Sequence, residues 1–198
     1  MRSQGYRDTR GCGRSGFLAL LKAARHQKRK EKAIRDVAIL HLLYCLGLRR
    51  GEVVRLQVSD VDLANGRLAV LGKGRTQKEF VSLPEQVSRA LSEWLHVRGQ
   101  DDGPLFHNFD PTSRASGLTG DGLYKIIRYL GRRAGIKTRP HGLRHAAITE
   151  ALDLTGGNIR AVARFSRHRN LQTLTVYDDN RADLARDIAR LVASCASL

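Results

Sequence analysis

The chain has few of the features that mark secreted or membrane proteins. Its 198 residues include three cysteines, Cys12, Cys45 and Cys195, and no CxxC pair. A disulfide framework and a structural zinc site are therefore not expected. No stretch approaches 18 consecutive apolar residues, and the N-terminus lacks the apolar core of a signal peptide. These absences predict a cytoplasmic protein with no membrane-spanning segment.

Acidic residues are also scarce. There are 19 Asp and Glu against 35 Lys and Arg, which gives a formal net charge of +16. Hydrophobic residues still make up 41% of the chain, enough for a packed core. A folded protein with this charge is expected to bind a polyanion, either a nucleic acid or an anionic membrane surface.

The positive charge is concentrated at the N-terminus. Residues 1–35 contain eleven basic and two acidic side chains, and the first fifteen are rich in glycine and arginine. We interpret residues 1–32 as a basic arm or the remnant of a linker, and residues 33–198 as one folded domain.

The pattern of apolar residues predicts a mainly α (α+β) fold. Residues 33–46 are apolar on nearly every side, which is typical of a central core helix, and Gly47 is expected to end it. A short helix should follow over 52–56, and residues 99–118 should form a long loop. Further helices are predicted at 84–98, 119–134, 142–154, 157–165, 170–177 and 182–194.

A small antiparallel sheet is predicted between the first helices and the next. Asn65-Gly66 is a strong hairpin signal. Residues 67–71 and 79–83 can form strands, so we expect a small three-stranded sheet over residues 58–83. The polar turn between these two strands carries Lys73 near its tip.

Several polar side chains follow helices or begin them. Arg49 comes directly after the core helix, and His141, Arg144 and His145 can share one helix face because they are three or four residues apart. His168 precedes Tyr177 by nine residues. The other candidate tyrosines, Tyr44, Tyr124 and Tyr129, lie on apolar helical faces and are expected in the core.

This set of side chains suits a phosphodiester and lacks the clustered carboxylates that would hold Mg²⁺. Guanidinium groups match phosphate oxygens in a fork, a lysine can act as a general acid, and a tyrosine hydroxyl can act as the nucleophile. His141 and His145 could form a metal pair, but no glutamate lies between them and no third ligand is evident. No metal or other cofactor is expected.

Taken in order, these residues resemble the catalytic domain of tyrosine recombinases, also called phage-type integrases, over residues 33–178. The run Gly47-Leu48-Arg49-Arg50-Gly51-Glu52 is similar to the family's first-arginine box, with Glu52 as its supporting acid. Lys73 is similar to the hairpin lysine, and His141-Gly142-Leu143-Arg144-His145 to the second box. His168 and Tyr177 match the third histidine and the nucleophile.

The resemblance implies a mechanism and a set of six catalytic residues. Tyr177 would attack the scissile phosphate and form a 3′-phosphotyrosyl link, while Arg49 and Arg144 stabilise the phosphorane. Lys73 would protonate the leaving 5′-oxygen. His141 would assist proton transfer, and His168 would hydrogen-bond a non-bridging oxygen. The implied partner is double-stranded DNA, bound by a homotetramer whose subunits are monomers in solution.

The sequence departs from the family pattern in two places. Only about thirty residues precede the first core helix, so the N-terminal core-binding domain is expected to be absent. Arg167 replaces the glycine that usually precedes the third histidine. Two alternatives therefore remain open at this point: a recombinase-like DNA-binding module without turnover, and a nicking and closing enzyme of the type IB topoisomerase kind.

Overall fold

The computed structural model describes residues 11–109 and 116–168, together with the single positions 172, 174, 189, 190, 192 and 193. The strands are β1 (Val61–Asp62), β2 (Arg67–Val70) and β3 (Glu79–Ser82), which pair antiparallel in the order β1-β2-β3. The predicted mainly helical fold with a small three-stranded sheet is confirmed. The helices of the described ranges are α1 (Gly13–Arg25), α2 (Lys30–Cys45), α3 (Arg50–Val53), α4 (Glu85–Arg98), α5 (Gly120–Arg133), α6 (Pro140–Leu154) and α7 (Ile159–Ser166).

Helix α2 is the centre of the core. Its side chains are buried on nearly all sides, as the continuous apolar run predicted. Gly47 follows it with a φ of +55°, a conformation that glycine adopts without steric cost. None of the helices among the described residues has both the length and the apolar character needed to cross a bilayer.

The sheet forms where the hairpin signal predicted it. Asp62 pairs with Arg67 across the first turn, which closes on Gly66 with a φ of +60°. Strand β2 pairs with β3 from Arg67 opposite Ser82 to Val70 opposite Glu79. The turn that carries Lys73 therefore extends from one end of the sheet.

The segment after α4 is irregular, and hydrogen bonds at Leu105 fix it to the core. The indole N–H of Trp94 donates to the carbonyl oxygen of Leu105 at 2.8 Å, and the Leu105 N–H donates to Leu56 at the same distance. Leu105 and Phe106 are buried in the core. The described part of the predicted loop over 99–118 thus lies between α4 and α5 and is fixed to the core at Leu105.

Helices α5, α6 and α7 begin within a few residues of their predicted starts. Thr119 caps α5 by accepting a hydrogen bond from the Gly122 N–H at 3.0 Å, and Asn158 caps α7 in the same way from Ala161. Pro140 opens α6, where its missing N–H costs nothing. The predicted helices over 170–177 and 182–194 lie, apart from single positions, outside the described residues.

The N-terminal prediction was wrong for α1, which is part of the folded domain. Phe17, Leu20 and Leu21 are buried, and the Phe17 ring stacks on Tyr44 with 4.0 Å between centroids. Helix α1 packs against α2, α5 and α6. Glycine and arginine are frequent in this region, which suggested a solvated arm. The apolar residues nevertheless recur every three or four positions, which is the pattern of an amphipathic helix.

Replacing Leu20 with alanine tests whether α1 is part of the core. Leu20 is fully buried, so Leu20→Ala should lower the free energy of unfolding by about 2–5 kcal/mol. Leu18, on the same helix, is 54% exposed, and Leu18→Ala should change it by about 0.5 kcal/mol or less. Urea denaturation of both variants measures this, and equal effects would contradict a packed α1.

Candidate active site

A cleft of about 450 Å³ gathers five of the six residues predicted to be catalytic. It is bounded by the start of α3, the β2–β3 turn, α5, the start of α6 and the residue after the α7 cap. Tyr177, the sixth, lies outside the described residues. The lining consists of Arg49, Arg50, Gly51, Lys73, Tyr124, Arg139, Pro140, His141, Arg144 and His168.

Arg49 is fixed at the N-terminus of α3 by Glu52. The Arg49 backbone N–H donates to one carboxylate oxygen of Glu52 at 2.8 Å, and Nη1 donates to the other at 2.7 Å. Nη2 donates to the carbonyl oxygen of Arg167 at 3.3 Å. With its position set by three bonds, the guanidinium reaches the cleft in one orientation.

The carboxylate of Glu52 is almost completely buried and remains charged. Burial alone would raise its pKa, but the Arg49 N–H bond and the charges of Arg167 and Arg49 outweigh burial and lower it. Glu52 therefore keeps two guanidinium groups in place from behind the cleft.

Arg144 is buried at the base of the cleft. Its guanidinium donates to the carbonyl oxygens of Gly47 and Ser166, the latter at 2.5 Å. Nη2 also lies 3.3 Å from Nε2 of His168. Arg144 thus joins the turn after α2 to the end of α7, the two segments that carry Arg49 and His168.

The hydrogen bonds around His168 define its neutral tautomer. The Ser166 hydroxyl donates its one proton to the Val162 carbonyl at 2.6 Å, so its oxygen accepts from Nδ1–H of His168 at 2.7 Å. Nε2 then accepts from Arg144. Burial first, and then the charges of Arg144, Arg49 and Arg167, lower the pKa of His168 to about 4, so the imidazole is neutral at pH 7.

His141 lies on the first turn of α6 with its ring edge against His145. The two Nε2 atoms share a hydrogen bond, and the ring centroids are 3.9 Å apart. Burial, Arg139, Arg144 and Arg49 lower the pKa of His141, so this imidazole is also neutral. Across the described ranges, no three His, Cys, Asp or Glu side chains are grouped closely enough to hold a metal ion.

The sequence did not indicate that Tyr124 and Arg139 line the cleft, and it placed Arg50 beside Arg49 without giving it a role. Tyr124 and Tyr129 were expected in the core, and this was wrong, since they are 39% and 40% exposed. Both lie on the polar face of α5, a stripe that the spacing of its charged residues could have revealed. Tyr44 is buried, as expected.

The cleft is strongly electropositive. Five of its described lining residues are cationic and none is acidic. Burial, together with the surrounding arginines, lowers the pKa of His141 and of His168, so both imidazoles are neutral at pH 7. Such a site can bind a single oxyanion through guanidinium forks from two sides, with an exposed ammonium group, that of Lys73, beside it.

Comparisons of the sequence and of the structure with known proteins agree on one family. The sequence model of the phage integrase family matches residues 17–183. A tyrosine recombinase of Synechococcus elongatus is 41% identical over 187 residues, which cover 92% of this chain and 58% of the relative. The chain thus spans a little over half the length of this curated relative.

Two solved structures share the fold. The XerA recombinase is 28% identical with a TM-score of 0.72, over 90% of this chain and 63% of that one. The XerH site-specific recombinase, bound to a palindromic difH substrate in a post-cleavage complex, is 23% identical with a TM-score of 0.78. That match covers 96% of this chain and 55% of the other.

The first prediction from the site concerns Glu52→Gln. Folding lowers the pKa of Glu52 below 4.5, so the native state binds fewer protons than the unfolded state. The resulting stability is complete above pH 4.5 and is lost as the pH falls through the folded pKa. Glu52→Gln should therefore cost about 3–5 kcal/mol at pH 7 and less at pH 3.

Denaturant titrations of wild type and variant from pH 3 to pH 7 measure the difference. Glu85→Gln, which removes an exposed carboxylate paired with Arg89, is the matched control and should change stability by about 0.5 kcal/mol or less. A gap between wild type and Glu52→Gln that stays constant with pH would contradict a charged, buried Glu52.

The second prediction concerns His168 in the ligand-free protein. Its imidazole signals should titrate with a midpoint of about 4 rather than near 6.5, because burial and three arginines oppose its protonation. Two-dimensional NMR of the imidazole carbons measures this midpoint. The spectrum of His168→Gln assigns the signal, and a midpoint near 6.5 would show that the ring is not held among the arginines.

Proposed function

The chain belongs to the phage integrase family, and we propose that it carries out site-specific DNA recombination by cutting and rejoining strands through a 3′-phosphotyrosyl intermediate. One observation carries the proposal. Four separate segments of the chain meet in one cationic cleft, and they supply Arg49, Lys73, the pair His141 and Arg144, and His168. A DNA-binding module without turnover would need positive charge but not this combination of side chains.

Arg49 and Arg144 are proposed to bind the scissile phosphate. Backbone carbonyls and Glu52 hold both guanidinium groups before any ligand arrives. Donors that are already oriented stabilise the charge of the pentacoordinate phosphorane without reorganising during the reaction. Loss of such a contact typically lowers a rate by about 10²–10³-fold.

His168 is proposed to donate to a non-bridging oxygen once the phosphate is bound. In the free protein its Nε2 accepts from Arg144, so it has no proton to give there. A phosphate in the cleft offsets the surrounding positive charge and raises the pKa of the ring. Nε2 can then be protonated, and Arg144 can transfer its Nη2 bond from His168 to the phosphate.

Tyr177 is proposed as the nucleophile and Lys73 as the general acid. The tyrosine oxygen forms a bond to phosphorus as the bond to the 5′-oxygen breaks, and the ammonium group of Lys73 gives that oxygen its proton. His141 assists removal of the proton from the tyrosine hydroxyl, since a neutral imidazole can accept it. Reversal of these steps rejoins the strands without an external energy source.

The proposed partner is double-stranded DNA in the cytoplasm. A net charge of +16 and the cationic cleft fit the phosphate backbone, and the XerH neighbour is itself bound to a difH substrate. We propose a homotetramer on DNA and a monomer in solution.

Tyr177→Phe tests the nucleophile. With a nicked suicide duplex, wild type should give a covalent protein–DNA adduct on a denaturing gel, and Tyr177→Phe should give none. DNA affinity should change by about twofold or less, because phosphate charge dominates binding. The substrate is a library of random duplexes or the DNA that flanks the gene.

Tyr129→Phe is the matched control. Tyr129 is exposed on α5 and does not line the cleft, so this variant should form the adduct at the wild-type rate. An adduct that survives in Tyr177→Phe would identify another nucleophile. No adduct with wild type on any duplex would overturn the proposed strand cleavage.

A further inference from the structure

We propose that Arg167 is a positioning residue whose guanidinium holds together the chain segments that carry Arg49, Lys73 and His168. The proposal rests on the function proposed above, since these three side chains act only if the cleft cleaves DNA. Arg167 itself does not line the cleft. It would therefore act through its neighbours rather than on the substrate.

The backbone at Arg167 is the first sign of a special role. Its φ is +54° and its ψ is +40°, and among the described residues it is the one non-glycine residue with a positive φ. Side chains disfavour this conformation, whereas glycine adopts it freely. An arginine here is expected only where its side chain makes contacts that glycine cannot.

Those contacts converge on the turn after α2. The Arg167 side chain is 7% exposed. Nη1 donates to the carbonyl oxygens of Leu46 and Phe165 at 3.2 and 3.1 Å, and Nη2 donates to that of Gly47 at 3.3 Å. The guanidinium thus joins the end of α7 to the turn that leads into Arg49.

Arg167 also reaches Arg49 by two independent paths. Its Nη2 donates to Oε2 of Glu52 at 3.2 Å, and the other oxygen of that carboxylate holds Arg49. Its own carbonyl oxygen accepts from Nη2 of Arg49 at 3.3 Å. Both the backbone and the side chain of Arg167 therefore set the orientation of the Arg49 guanidinium.

The third guanidinium nitrogen of Arg167, Nε, faces the small sheet. Nε of Arg167 lies 3.8 Å from Oε1 of Glu79, the first residue of β3. This is a charge contact without a hydrogen bond, and because strand β3 follows the turn that carries Lys73, it places the positive charge of Arg167 beside the base of that turn. His168, the next residue in the chain, leaves the left-handed turn with its N–H bonded to Ala163.

If Arg167 is a positioning residue, its loss should affect the rate of cleavage more than the affinity for DNA. A residue that contacts phosphate should affect affinity first, whereas a residue that orients Arg49 and His168 should affect the rate with DNA already bound. Partners that orient the functional groups of a site typically contribute about 10–100-fold to activity. Arg167 belongs with the residues that orient catalytic side chains, because it contacts their neighbours and does not line the cleft.

The test measures single-turnover adduct formation at saturating suicide duplex, with the Kd determined separately. Arg167→Met should slow adduct formation by about 10–100-fold and change the Kd by about twofold or less. Arg167→Lys, which keeps the charge but loses the fork, should fall between Met and wild type. Arg164→Met removes an exposed charge from α7 and should behave like wild type.

Arg167→Gly separates positioning from folding. Glycine adopts the left-handed backbone at this position without strain, so the variant should fold, which thermal denaturation checks. Its adduct formation should nevertheless be slowed as much as that of Arg167→Met. Wild-type rates in both variants, or a Kd that weakens as much as the rate, would overturn the positioning role while leaving the proposed function intact. No adduct with wild type would overturn both.

Discussion

A buried carboxylate makes this cationic cleft possible. Guanidinium groups that converge within a few ångströms repel one another, and the repulsion grows as water is excluded. Glu52 offsets that repulsion from behind, since its two oxygens accept from Arg49 and Arg167 while the front of the cleft stays positive. The start of the short helix α3 and the end of α7 are both held to this one negative charge.

The fold was predictable where the local signal was strong. The apolar run of α2 and the Asn65-Gly66 turn allow few other structures, and both appeared where expected. Helix α1 was missed because its apolar stripe is embedded among glycines and arginines, so composition suggested a solvated arm. Tyr124 was misassigned for the opposite reason, since a large aromatic ring suggests burial although its helix face is polar.

The site was predictable as a set of side chains but not as a network. The order of Arg49, Lys73, His141, Arg144 and His168 indicated that they share one task, and they do line one cleft. The contacts of Arg167 could not be predicted, because its partners at Leu46, Gly47 and Glu52 are more than a hundred residues away in sequence. Its left-handed backbone also contradicts local preference, and only tertiary contacts explain it.

The packing of α1 has a consequence for how the chain matures. The first described helix contacts α6, which is more than a hundred residues further along, and also α5. Closing so large a loop is entropically costly, and contacts of this kind form slowly during folding. On the ribosome, the part of the apolar face of α1 that packs against α5 and α6 therefore stays uncovered until those helices have emerged, even if the part that packs against α2 is already covered. The cleft is completed later still, because α6 supplies His141 and Arg144 and the segment after α7 supplies His168, so a partly synthesised chain lacks the full cationic cleft.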